Sequence, residues 1–456
     1  MARVWVTALA ALMVIASVTA AVAGDAEDCS NYKALLKTDS VRTVSACRRL
    51  AEQGVALGQS NLGGMYYTGE GVPQDFKEAV KWIRKSAVQG YAKAQDNLGV
   101  LYTKGQGVPQ DLNEAVTWFR KAADQGYALA QSDLGRMYYS GLGVRQDRKE
   151  AVSWFRKAAE QGLTDAQSNL GIAYRDGQGV PQDYNEAANW FRRAADQGDA
   201  GGQFDLGIAY ANGRGVSQDY KEAVKWYRKA ADQGHAGAQS NLGLMYAQGW
   251  GVPQDYKEAA NWFRRAAAQG DATGQSNLGV AYAHGQGVSQ DFKEAAKWYR
   301  KAADQGDAIA QCNLGVMYVQ GQDVPQDYKE ALNLFRRAAD QGFAGAQSNI
   351  GLAYANGQGV AQDFKEAVKW YRRAADQGDA AGQFNLGGMY DRGQGVAQDY
   401  VQAHVWFELA AAGYPPGQDH DDAVKQRELA ASKMTPAQLE EAQRLAREWK
   451  PKPEAR

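Results

Sequence analysis

A Leu-Gly pair returns every 36 residues, and that period constrains the fold more than any other feature of the chain. It falls at Leu62-Gly63, Leu98-Gly99, Leu134-Gly135, Leu170-Gly171, Leu206-Gly207, Leu242-Gly243, Leu278-Gly279, Leu314-Gly315, Ile350-Gly351 and Leu386-Gly387, with nothing inserted or lost between copies. A strict period of this length means that each unit is one supersecondary element, able to bury its apolar face only against its neighbours. The 456 residues then make one elongated array, not the roughly three domains that length alone would allow.

The unit is clearest between Asp219 and Tyr246. Asp219 with Glu222 three residues on predicts a capping-box-like helix start, and the same Asp recurs in every copy, so capping explains this array of carboxylates without metal or acid/base chemistry. Tyr220, Ala223, Tyr227, Ala230 and Ala231 follow helical spacing with Trp226 beside them, while Lys221, Lys225, Arg228 and Lys229 take the wet side. Gly234 closes that helix. A second helix from about Ala236 to Ala247 carries Ala238, Leu242, Met245 and Tyr246. Glycine inside a helix costs roughly 1 kcal/mol against alanine, so Gly243 and its copies predict backbones that cross closely. The recurrent Tyr and Trp read as the packing seam between units. The turn Gly249, Gly251, Pro253 stops the helix. It is no phosphate loop, because it follows a helix and lacks the Lys-Ser/Thr ending.

The pattern A-x-x-Q-x-N-L-G-x-M-Y-x-x-G-x-G-V-x-Q-D-x-x-x-A-x-x-W-x-x-x-A-A-x-x-G resembles the Sel1-like repeat, a relative of the tetratricopeptide repeat, over about residues 41 to 413. The resemblance implies an all-α, right-handed α/α superhelical solenoid of about ten 36-residue helix-turn-helix repeats, acting as a scaffold for protein–protein contacts. Exported bacterial members are envelope or secreted adaptors. Some relatives tie each repeat with a disulfide, and this chain lacks those paired cysteines.

The predicted organisation is a signal peptide over 1–23, an N-terminal helical cap over 24–54, the solenoid over 55–414, capping helices over 415–450 and a disordered tail over 451–456. Arg3, the apolar run from Val4 to Val22 and the small-x-small Ala21-Val22-Ala23 point to cleavage after Ala23 and a periplasmic or secreted protein. The alternative is an uncleaved anchor, and no later stretch could span a bilayer. Cys29 and Cys47 flank a short helix, and an oxidising compartment would let them close the cap as a disulfide. Cys312 reads as a packed free thiol. Asp323 replaces the second turn glycine of its repeat, which should perturb that turn.

Catalysis finds little support: the four histidines (His235, His284, His404, His420) lack ligand spacing, no nucleophile elbow or Cys–His pair is visible, and a hydrolase, the remote alternative, would need residues brought together from different repeats. A net charge of −1 argues against nucleic acid and anionic membranes. The resemblance places the partner, a protein or an extended peptide, in a concave groove. Asn169, Asn241 and Asn277 belong to an amide column that could grip a peptide backbone there; the same recurrence would equally suit hydrogen bonds bridging neighbouring repeats. Specificity should sit where repeats differ. One variable column holds Tyr67, Thr103, Tyr139, Arg175, Val319 and Asp391, and the next holds Lys104 and His284. A cell-wall or polysaccharide-binding module is the alternative, with Tyr67, Tyr139 and the loop residue Trp250 as contacts.

Overall fold

The computed structural model describes residues 23–452, so nearly all of the expected signal segment lies outside it. Every regular element among the described residues is a helix. Each repeat contributes a helix bearing Leu-Gly, such as Ala92–Lys104, and one bearing Trp, such as Leu112–Ala123. They are called amide helices and tryptophan helices below. No helix of the described residues is long and apolar enough to cross a membrane.

Local chemistry sets the helix ends. Asp111 accepts hydrogen bonds from the Asn113 and Glu114 N–H groups at 3.0 Å, and the amide helix before it stops at Gly105 in the left-handed region (φ 67°). The reciprocal half of the expected capping box does not form. The Asp111 N–H instead donates to the Tyr102 carbonyl, tying the turn to the helix before it. Glu114 accepts from the Trp118 indole N–H at 3.1 Å, as Glu150, Glu258 and Glu294 do from Trp154, Trp262 and Trp298.

Packing is built from small residues against rings. A Cβ on Gly99 would lie 2.6 Å from Cε1 of Phe119, and the same holds for Gly315 against Phe335. The helical glycine thus makes room for a side chain of the following tryptophan helix, most often an aromatic ring, and the backbone of that helix comes close as well: a Cβ on Gly243 would lie 3.2 Å from the Ala259 carbonyl oxygen, and one on Gly63 3.0 Å from Ile83 N. Backbones also approach in the column of Gly58, where a Cβ would meet Ala51 N at 2.8 Å. Each cluster is closed by the next repeat: Phe119, Leu134 and Met137 pack with Trp154. The basic residues are spent on aromatics. Lys157 stands 3.8 Å over Trp154 and Lys121 4.0 Å over Trp118, while Arg84 donates to the Tyr102 hydroxyl at 2.7 Å.

The chain divides into two compact units, residues 1–219 and 220–456. Unit 1 opens with the helices Tyr32–Leu35 and Ser40–Glu52, stapled by the Cys29–Cys47 disulfide with Cα atoms 4.9 Å apart. Arg42 pairs with Asp28 at 2.7 Å, and Arg49 pairs with Asp25, holding that carboxyl below its ordinary pKa by hydrogen bonding. Each of its repeats is closed across its two helices by an amide pair: Gln89 donates to the Gln59 side-chain carbonyl, Gln125 to Gln95, Gln161 to Gln131 and Gln197 to Gln167, at 2.7 to 2.8 Å.

Unit 2 repeats the same joints with Gln269, Gln305, Gln341 and Gln377. Asp271, Asp307 and Asp379 cap its amide helices, where most of those in unit 1 begin on an apolar residue such as Tyr91 or Leu163 with no side-chain cap. Asp307 also accepts from Ser276 of the preceding repeat at 3.0 Å. Asp323 keeps the left-handed backbone of the glycine it replaces (φ 50°), so the turn survives under strain instead of changing shape. Cys312 is a buried free thiol, pushed up to about 11 by burial. The unit ends in Gln418–Ala431 and Pro436–Glu448, the latter opened by a capping box between Thr435 and Gln438. Trp449 meets Trp406 edge-on at 6.4 Å. The tail expected to be free from residue 451 is docked at its start: the Lys452 N–H donates to the Asp376 carbonyl at 2.7 Å, and residues 453–456 lie outside the described chain.

Candidate functional site

The residue before each Leu-Gly is carried to the edge of the buried stripe, because it precedes a fully buried Leu by one helical step. Asn97, Asn169, Asn241 and Asn277 are accordingly partly buried. Three members of the column are committed: Asn61 donates to the Cys29 carbonyl at 2.9 Å, Asn313 donates to the Tyr299 hydroxyl, and the Asn349 amide donates to Cys312 Sγ at 3.4 Å. Among the described residues, the side chains of Asn97, Asn169 and Asn277 make no hydrogen bond to the protein. Asn61 and Asn349 thus bridge to the preceding element as the column's recurrence suggested, while the glutamine joints tie the two helices within each repeat.

Clefts open between successive amide helices on this face. In unit 1 a cavity of about 640 Å³ lies between the cap and the first two repeats, lined by Tyr32, Lys33, Lys37, Tyr67, Lys93 and Asn97 over Leu36, Ile83 and Val100. In unit 2 one cavity of about 370 Å³ is lined by His284, Tyr299, Asn313, Val316 and Gln320. Another, of about 180 Å³, lies against Val316, Val319, Phe335, Asn349 and the exposed Leu352. These two unit 2 cavities are free of lysine and carboxylate, unlike the one of about 710 Å³ that Glu408, Arg427 and Glu428 line among the terminal helices.

Sequence-predicted contacts divide accordingly. His284 and Val319 line clefts in unit 2, and Tyr67 lines the one in unit 1. Asn169, Asn241, Asn277 and Trp250 line none of the three. Tyr139 hydrogen-bonds the Gln178 side chain and packs on Phe155 at 6.4 Å. Arg175 is held by Asp176 at 2.8 Å and Asp205 at 3.0 Å. Trp250 is 45% exposed on its turn and stacks on Tyr220, with centroids 5.4 Å apart and planes 15° apart.

Unit 1 carries the charge beneath its face. Asp96, where most repeats have Ser, is buried with one carboxylate oxygen unpartnered; burial and then the neighbouring Asp133 push it up to about 7. Asp133 is paired to Arg136 at 2.7 Å. Burial raises Asp205 to about 6 in spite of Arg175. No group of three or more His, Cys, Asp or Glu among the described residues is placed to hold a metal.

Sequence reasoning missed Tyr32, Lys33, Lys37 and Lys93. The signal was present in a third variable column, which reads Leu57, Lys93, Leu129, Asp165 and, further on, Ile309. It also missed the glutamine joints, although Gln59 and Gln89 recur in nearly every copy.

The family model for the Sel1 repeat matches ten consecutive segments, 56–91 through 380–413. Among solved structures, c5321, a protective antigen present in uropathogenic Escherichia coli strains displaying an SLR fold, is 38% identical. The match covers 93% of this chain and 91% of that one, with a TM-score of 0.78. A Sel1 repeat protein from Oxalobacter formigenes is 34% identical over 54% of this chain and 96% of its own, with a TM-score of 0.50. No curated protein matches the sequence.

Proposed function

Because the chain belongs to the Sel1-repeat family, we propose that it is an exported, non-enzymatic scaffold that holds a protein partner or an extended peptide along its amide face. Sel1-type solenoids are generally scaffolds for protein–protein interaction. The observation that carries the reading is that Asn97, Asn169 and Asn277 are partly buried with no hydrogen bond to the protein, Asn97 standing in the wall of the unit 1 cleft. A primary amide offers both donor and acceptor to a peptide backbone, and a partly desolvated amide gains more from such a bond than a fully wet one. The similar c5321 is a protective antigen, which supports an exported location.

A glycan module is less well supported. The Tyr139 hydroxyl is already engaged, and the Tyr67 hydroxyl accepts from Lys104 at 3.2 Å, which leaves Trp250 as the open aromatic. The test is affinity capture with the chain from Gly24 and two folded triple variants. One carries Asn97→Ala, Asn313→Ala and Asn349→Ala, the other Asn169→Ala, Asn241→Ala and Asn277→Ala. A protein retained by the parent and lost by either variant supports the reading. Retention by both variants, or loss only on Trp250→Ala, overturns it.

A further inference from the structure

The cleft at the start of unit 1 differs from every other part of the amide face in what its charges face. Lys93 stands with its ammonium 5.6 Å over the Tyr32 ring and 3.4 Å from the Asn61 amide oxygen, and no carboxylate pairs with it. Its pKa is lowered, first by burial and then by repulsion from Lys33. The charge that acts on this ammonium is thus another cation. Lys33 and Lys37 come from the disulfide-stapled cap, and the wall holds a single acid, Glu70. Below these groups the wall is apolar, formed by Leu36, Ile83, Val100 and Leu101.

A half-buried ammonium that no acid compensates is unfavourable in the empty protein, because burial removes water without supplying an opposite charge. The cost is reversed when an anion enters, and an apolar body attached to that anion gains the floor of the cleft. At about 640 Å³ the cavity has the size of small-ligand sites. We propose that this cleft is a binding site for a carboxylate carried on an apolar body, with Lys93 as the central contact, Lys33 and Lys37 on the rim, and Asn97 as an amide donor. This rests on the amide face being the binding face and assigns the chemistry of one end of it. The carboxylate could be that of a free organic acid or of a peptide end.

Calorimetric titration of the full oxidised chain at low ionic strength, with two matched pairs of probes, tests it. The first pair is phenylacetate and phenylacetamide; the second is acetyl-Leu-Leu-Phe with a free carboxylate and the same peptide as its amide. An acid should bind at least about tenfold more tightly than its amide, the scale of a hydrogen bond to a charged group. Lys93→Met should abolish that preference while Lys93→Arg keeps it, and thermal unfolding of both variants checks the fold. Preference for phenylacetate identifies a small organic acid as the source, and preference for the free peptide identifies a chain end. Equal binding of acid and amide in both pairs, an unchanged preference in folded Lys93→Met, or no binding by either acid overturns the proposal. None of these outcomes depends on the triple Asn variants, so the scaffold reading stands or falls separately.

Discussion

The lysine-lined cleft of unit 1 and the histidine-lined cleft of unit 2 are the same place in the repeat, six periods apart. Thr68, Ile83, Asn97, Val100 and Leu101 of the first correspond to His284, Tyr299, Asn313, Val316 and Met317 of the second. The amide and the apolar floor are kept. What changes is Lys93, which becomes Ile309, and the entry side, where unit 1 adds Tyr32, Lys33, Leu36 and Lys37 from its cap while no residue before Ala283 lines the unit 2 cleft. The cavity is about 640 Å³ in one case and about 370 Å³ in the other. One frame therefore presents a basic, capped pocket and a neutral, amide-lined one. The charge difference rests on Lys33, Lys37 and Lys93, which bear no part of the core, whereas Tyr32 and Leu36 of the cap belong to its core.

The strongest way to break the comparison is to remove the staple. Cys29→Ser with Cys47→Ser should cost the start of unit 1 about 3 kcal/mol, the scale expected for a loop of this length. Hydrogen exchange should show protection lost over residues 24–54 and unchanged over 308–320; equal loss in both would mean that the cap supports far more than its own cleft.

Next in size is the charge buried under unit 1. The folded-state pKa of Asp96 is raised, so its favourable contribution is complete below the ordinary carboxylate pKa and is lost as pH rises through about 7. Asp133 and Arg136 are the charges that face it. Asp96→Asn should stabilise unit 1 by on the order of 2 kcal/mol at about pH 8 and by little near pH 4. Thermal melts across that range check it, and a gain independent of pH would show that packing, not ionisation, is the cause.

In unit 2 the strained position is conformational instead. Asp323→Gly should raise stability by about 1 kcal/mol, because an L-residue pays that much to hold the left-handed region. Urea titration with exchange readout at residues 308–340 measures it. The smallest expected effect sharpens the comparison most. Ile309 is 49% exposed, so Ile309→Lys should change stability by less than about 0.5 kcal/mol. It should nonetheless give the unit 2 cleft a measurable preference for phenylacetate over phenylacetamide, weaker than that of unit 1 because the cap lysines are absent there.

The repeat, its two helices and its turn were legible because they rest on short-range chemistry that recurs: Asp before a helix, Gly after one, an apolar stripe between. The cap helices were legible for the same reason, and the Thr435–Gln438 capping box opens the last of them. What could not be read was which side chain answers which once the chain is folded. Glu114 follows its Asp at capping-box spacing, yet the indole four residues on takes it, since Trp118 lies on the same face one turn later. Gly99 announces a tight contact without saying that a ring fills it. Tyr139 and Arg175 looked available in a variable column, but Gln178, Asp176 and Asp205 engage them once the chain is folded. Lys93 was hidden because its meaning depends on the cap, which occurs once and so has no period to betray it.

The glutamine joints carry a consequence of another kind. Each pairs a residue at the end of one tryptophan helix with a residue in the amide helix of the same repeat, so that a repeat carries both partners of its own joint, and four such joints in each unit use the same two atoms. A whole period cut from the middle, or copied into it, leaves every surviving glutamine opposite a glutamine. Unequal recombination between near-identical repeats can therefore lengthen or shorten the array in a single event without a new interface having to be invented. The ends have no such freedom, since the staple and the terminal helices are each made only once. A lineage of such chains can be expected to differ in the number of middle repeats sooner than in how it begins or closes.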